Sequence, residues 1–160
     1  MFTPIKLSML ALCGAAAIAT ASCNAPPPDR KTMMAHSWTC EMVSDADGLH
    51  SVYTETMDLR PAGDYRSKVA VNATGENVQV SMQLEWTGRW VLSKDTFRRT
   101  FAAMKATTGE RNGLALTQDL LDKAANELRR APVAEEGRVL ALTENEMQIE
   151  TNFDPMTCKR

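Results

Sequence analysis

The sequence predicts a mainly β domain, an antiparallel up-and-down barrel of about eight or nine strands with one amphipathic helix late in the chain. Three observations predict it. Most segments beyond residue 36 alternate apolar and polar side chains with period two. One stretch, 116–130, carries its apolar residues at helical spacing instead. Cys40 and Cys158 stand in the first and last of the alternating segments.

The first strand, 36–43, is centred on Trp38 and holds Cys40. A second covers 50–59 and ends at the turn Pro61-Ala62-Gly63-Asp64, where proline presets φ and glycine admits positive φ. In the third, Tyr65, Val69 and Val71 oppose Arg66, Lys68 and Asn72. Ala73-Thr74-Gly75-Glu76 turns the chain into the clearest alternation, NVQVSMQLEW at 77–86, with Val78, Val80, Met82, Leu84 and Trp86 on one face. Residues 88–92 read as a short strand and Ser93-Lys94-Asp95 as a turn. The strand 96–105 follows, with Phe97 and Phe101 sharing a face. The helix comes next, with Leu116, Leu120, Leu121, Ala124 and Leu128 on its apolar side. Thr117 suits its cap, Asp119 its positive end, and Arg129 and Arg130 its negative end; Pro132 stops it. A hairpin, 138–143 and 146–153, and a last strand, 156–160, complete the order.

Short connections make these strands a meander, and curling a long meander into a barrel removes its exposed edges. In an open meander the first and last strands are the two distant edges, whereas in a closed barrel they are neighbours. A disulfide requires α-carbons within about 7 Å. A Cys40–Cys158 bridge and barrel closure therefore imply each other. No C-x-x-C spacing points to redox catalysis.

The segment ahead of the domain has three zones: a start with Lys6 as its charge, an apolar run over 7–19, and the small residues Thr20-Ala21-Ser22. This is the layout of a secretory signal peptide, 1–22. The apolar run falls short of the roughly 20 residues that span a bilayer. Thr20-Ala21-Ser22-Cys23 resembles the bacterial lipobox, with Thr20 where that pattern prefers leucine. The resemblance implies cleavage before Cys23 and lipid on its sulfur. A cut after Ala21 is the other reading. Once Cys13 leaves, lipidation of Cys23 leaves Cys40 and Cys158 as an even pair, whereas the other cut leaves an odd thiol in an oxidising compartment. The expected location is the bacterial cell envelope, anchored by lipid to the outer membrane, because Asn24 is not the aspartate that resembles an inner-membrane retention signal. Residues 23–35, with Pro26, Pro27 and Pro28, read as a tether, and 36–160 as one domain.

The meander, the first strand on Trp38 and the late helix resemble the lipocalin, or calycin, architecture. PAGDY (61–65) and TGRWVLSKDTF (87–97) are similar to the repeated units of small bacterial lipocalin-like lipoproteins. His36-Ser37-Trp38 stands where that family carries Gly-x-Trp. The resemblance implies a lipocalin-like barrel over about 36–160.

Composition and motifs exclude more than they select. Eighteen Lys and Arg against 20 Asp and Glu give a net charge of −2 with no basic block, so nucleic acid is not an expected partner. Two histidines, His36 and His50, offer no metal-site spacing, and neither a nucleophile elbow nor a phosphate loop occurs. No catalytic residue, metal or cofactor is expected, and the chain does not read as an enzyme. The inward face does carry a hypothesis. Trp38, Tyr53, Tyr65, Met82, Trp86, Trp90, Phe97 and Phe101 share it, and a small barrel either fills with such side chains or leaves room for one hydrophobic or amphipathic ligand. Arg99 has the parity of Phe97 and Phe101 in TFRRTF (96–101). Pointing inward, it needs a ligand carboxylate or an internal Asp or Glu; at a bulge or rim it reaches water. The alternative to a ligand is an envelope protein partner, met as an enzyme inhibitor or assembly accessory, with TTGERNG (107–113) as the contact loop.

Overall fold

The computed structural model describes residues 29–46, 48–128, 134–151 and 155–160. The signal segment, Cys23, Arg129, Arg130 and Pro132 lie outside them. The described chain folds as a closed antiparallel β-barrel. Its elements are α1 (Arg30–Met34), β1 (Ser37–Ala46), β2 (Leu49–Leu59), β3 (Asp64–Thr74), β4 (Gln79–Ser93), β5 (Thr96–Arg111), β6 (Leu114–Ala115), α2 (Gln118–Leu128), β7 (Ala134–Leu142), β8 (Glu146–Thr151) and β9 (Met156–Lys159). Strands pair in the order β4-β3-β2-β1-β9-β8-β7-β5, and β4 pairs again with β5 to close the ring; β6 is a short extension of β5.

The seam of the ring is where the two cysteines meet. Cys40 and Cys158 stand directly opposite in the β1–β9 register, bridged, with α-carbons 3.9 Å apart. Both are buried. The expected pairing and the expected closure are present together, as the geometry of the meander requires.

Alternation places the core. Trp38, Cys40, Met57, Leu59, Tyr65, Trp90, Phe97, Val139, Met147, Ile149, Met156 and Cys158 form one continuous buried cluster within the barrel. Helix α1 closes that end: Asp29 caps it by accepting from the backbone N–H of Lys31 and Thr32, and Met34 is fully buried in the cluster. The expected tether, 23–35, thus gives its last residues to a plug. Helix α2 lies at the opposite end, where Leu121 and Ala125 join Val69, Leu84 and Ala106. Those three strand residues have inward parity, so α2 covers the mouth of the barrel.

Three departures from the expected strands have local causes. In place of the two strands expected over 77–86 and 88–92, β4 runs unbroken through Gly88. A Cβ there would sit 1.9 Å from the Thr100 carbonyl oxygen and 2.8 Å from Tyr65 Cε1, so the glycine marks a close approach within a strand rather than a turn. Segment 107–113 is not a loop up to Arg111: it continues β5, and only Asn112 and Gly113 turn, both with positive φ, as a two-residue hairpin requires. Finally, β5 carries two register shifts against β4 that leave Ala102 and Thr107 unpaired in the ladder. Each bulge resets the alternation, which keeps Phe101, Met104, Ala106 and Gly109 on the inner face of one long strand.

The disulfide closes a loop with a sequence separation of 118. Replacing both cysteines by serine is expected to lower unfolding stability by about 4–5 kcal/mol in the chain-entropy model, read from urea denaturation. A loss below about 1 kcal/mol would show that strand pairing alone holds the seam.

Candidate functional site

Arg99 points into the barrel and is 3% exposed. Parity fixes its direction, and no bulge lies between Phe97 and Phe101 to turn it outward. Its guanidinium is held from two sides. Nη1 donates to Glu55 Oε1 at 2.5 Å, and Nε and Nη2 both approach Glu135 Oε2 at 2.6 Å. Glu135 is its register neighbour on β7, whereas Glu55 sits on β2, across the lumen. Arg99 is therefore a strut from one wall to the other. Burial works against the guanidinium's charge, and the two carboxylates more than offset it, holding the proton more firmly than usual. Of the counter-ions left open by the sequence, internal acids are the ones present.

Three aromatic rings surround the strut. The Arg99 guanidinium carbon lies 6.0 Å from the Tyr65 ring centre, 5.5 Å from that of Trp86 and 5.6 Å from that of Phe101. Phe101 meets Trp86 edge-on at 5.1 Å and Tyr65 at 6.5 Å. Around this layer, three buried side-chain polar atoms have no hydrogen-bond partner among the described residues: Tyr65 Oη, Ser67 Oγ and Trp86 Nε1. The other two tryptophans differ. Trp38 donates to the Met34 carbonyl and Trp90 to the Arg60 carbonyl, both at 2.9 Å.

The expected ligand-lining residues divide between two environments. Trp38, Trp90 and Phe97 are packed in the α1 half with at most 2% exposure, and Tyr65, equally buried, joins that cluster to the Arg99 layer. Phe101 and Trp86 belong to the Arg99 layer, and Tyr53 is half-buried on the inner face of β2. Met82, among the candidates, lines an open cleft. A cleft of about 440 Å³ lies between the β4–β5 ribbon and the segment from β6 into α2. Met82, Leu116 and Leu121 give it an apolar side; Ser81, Gln83, Thr107, Glu110 and Gln118 give it a polar one. Its size is that of an ordinary small-molecule site.

Glu55 and Glu135 were missed in the sequence. Glu55 was readable, as an acid with the parity of Tyr53, Met57 and Leu59. Glu135 was not, because its strand carries no clean alternation before Val139. Among the described residues no group of three metal-type ligands occurs, and no helix is long and apolar enough to cross a membrane. The sequence matches no protein-family model and no curated relative.

Burial pushes the Tyr65 phenol well above its ordinary value of 10.0; Arg99 opposes the shift, and Glu55 and Glu135 add to it. The unfolded chain can ionise this phenol near its ordinary value while the folded chain cannot. Its contribution is thus intact below about pH 10 and lost as pH climbs beyond. A Tyr65→Phe variant is expected to show a shallower alkaline fall in stability than the parent, measured by urea unfolding between pH 9 and about 11. Parallel curves would show that Tyr65 ionises equally in both states.

Proposed function

We propose that this chain is a lipid-anchored protein of the bacterial cell envelope, tethered to the outer membrane through Cys23, whose lipocalin-like barrel binds a small hydrophobic or amphipathic molecule at its α2 end. The uneven filling of the barrel carries the ligand reading. The α1 half is closed by a helical plug and packed with aromatic and methionine side chains. The α2 half keeps a cleft of about 440 Å³ with one apolar and one polar side. A ligand there would bury its apolar part against Met82, Leu116 and Leu121, at about 25 cal/mol for each Å² removed from water. The export reading draws support from the layout of residues 1–22 and from the Cys40–Cys158 bridge, which suits an oxidising compartment.

A second reading, an envelope protein partner, is favoured by one observation: Leu114, just past the Asn112–Gly113 turn, is 74% exposed. It adjoins the segment 107–113 expected from the sequence to make such a contact.

Native mass spectrometry on the mature chain, purified from an oxidising periplasm, tests both halves of the proposal. The expected result is an acylated Cys23, the Cys40–Cys158 bridge, and an adduct of one small molecule lost on gentle activation. An unacylated N-terminus would overturn the anchor. A clean ligand-free mass, together with no thermal shift from any amphiphile, would overturn ligand binding and favour the protein partner.

A further inference from the structure

We infer that the mid-lumen patch formed by Tyr65, Ser67 and Trp86 receives an uncharged, acceptor-bearing head group, such as the carbonyl of an acyl ester or amide, and turns a free carboxylate away. The inference rests on the ligand reading above and names the class of molecule. Tyr65 and Ser67 are two residues apart on the inner face of β3, and Trp86 stands directly opposite Ser67 on β4. Their polar atoms are the buried, unpartnered side-chain groups of the described residues. Tyr65 is 1% and Ser67 3% exposed, and a buried polar group without a partner is costly, so natural cores rarely keep one. Three in one patch point to something that bonds them.

Their chemistry selects the partner. An indole N–H only donates, and the two hydroxyls are free to donate, so the patch asks for acceptors. The charge beside it selects further. Arg99 brings one positive charge and Glu55 and Glu135 two negative ones, which leaves the layer with an excess negative charge. An incoming carboxylate would be a third anion around a guanidinium already engaged on both sides. A neutral carbonyl meets the donors without that repulsion. The apolar continuation is at hand, since Trp86, Met82 and Leu116 all pack against the one cluster that Leu121 of α2 completes.

The test compares methyl dodecanoate with dodecanoate, each titrated at neutral pH into the disulfide-bonded mature chain, by native mass spectrometry and tryptophan fluorescence. The ester is expected to bind at least about tenfold more tightly than the acid. Tyr65→Phe and Ser67→Ala are each expected to weaken the ester roughly three- to tenfold while leaving the melting temperature of the ligand-free protein unchanged or raised, because each removes an unpartnered hydroxyl. Equal or tighter binding of the acid would overturn the head-group inference and leave the ligand reading standing. So would variants that melt several degrees lower with unchanged ester affinity, the signature of an ordered water on these groups. Binding of neither molecule would overturn this inference and the ligand reading together.

Discussion

A guanidinium at the centre of a closed barrel must find counter-charge within reach, and the rest of this structure is arranged around that requirement. An unpaired buried charge is among the costliest features a core can hold. Arg99 meets the requirement with a neighbour, Glu135, and a residue from across the lumen, Glu55. The cross-lumen partner depends on closure. Glu55 stands opposite Cys40 in the β1–β2 register, and Cys40 is bridged to Cys158 on β9. The covalent seam and the far end of the ionic strut thus share one position in the wall. Planar geometry makes arginine suited to this role, since its fork donates along two directions at once.

The ionic layer also divides the interior. On its α1 side the barrel behaves as a small packed core, with Trp38 and Trp90 hydrogen-bonded to the backbone at the plug and the β2–β3 turn. On its α2 side the side chains shrink. Ala106 packs in one cluster with Ala125 of the helix, a Cβ on Gly109 would meet Leu116 and Leu121 at 3.1 Å, and a bulge at Thr107 interrupts the β4–β5 ladder. Small residues and a bulge are the means by which a strand pair makes room next to a site. The cleft, the aromatic cage and the unpartnered polar atoms therefore all lie on or above the Arg99 layer.

Much of this was legible in the sequence, for identifiable reasons. Period-two alternation placed Tyr65, Val69 and Val71 of β3 and Val80, Met82, Leu84 and Trp86 of β4 on the inner face, though not Ser67 or Glu55, and the two terminal cysteines implied closure. TFRRTF gave Arg99 the inward parity but left a bulge or rim position open, and the regular β4–β5 pairing from Phe97 to Phe101 decides for the lumen. Other features follow from tertiary contacts that a local pattern cannot show. Gly88 looks like a break until the Tyr65 ring is seen lying over it. The plug α1 has only one buried residue, Met34, and so has no periodicity to read. Glu135 enters the lumen from a strand whose pattern is interrupted by a glycine and by the bulge at Leu140. The cleft itself depends on where α2 settles, which neither the helix's own apolar face nor its length specifies.

The most direct test of the ionic strut is the unfolding free energy of Arg99→Met beside that of the triple variant Arg99→Met/Glu55→Met/Glu135→Met. If the guanidinium braces the barrel, the single variant loses about 3–5 kcal/mol by stranding Glu55 in the core, and the triple variant recovers most of that loss. A single variant within about 1 kcal/mol of the parent would contradict the strut, and with it the division of the barrel into a packed half and a half that holds the cleft.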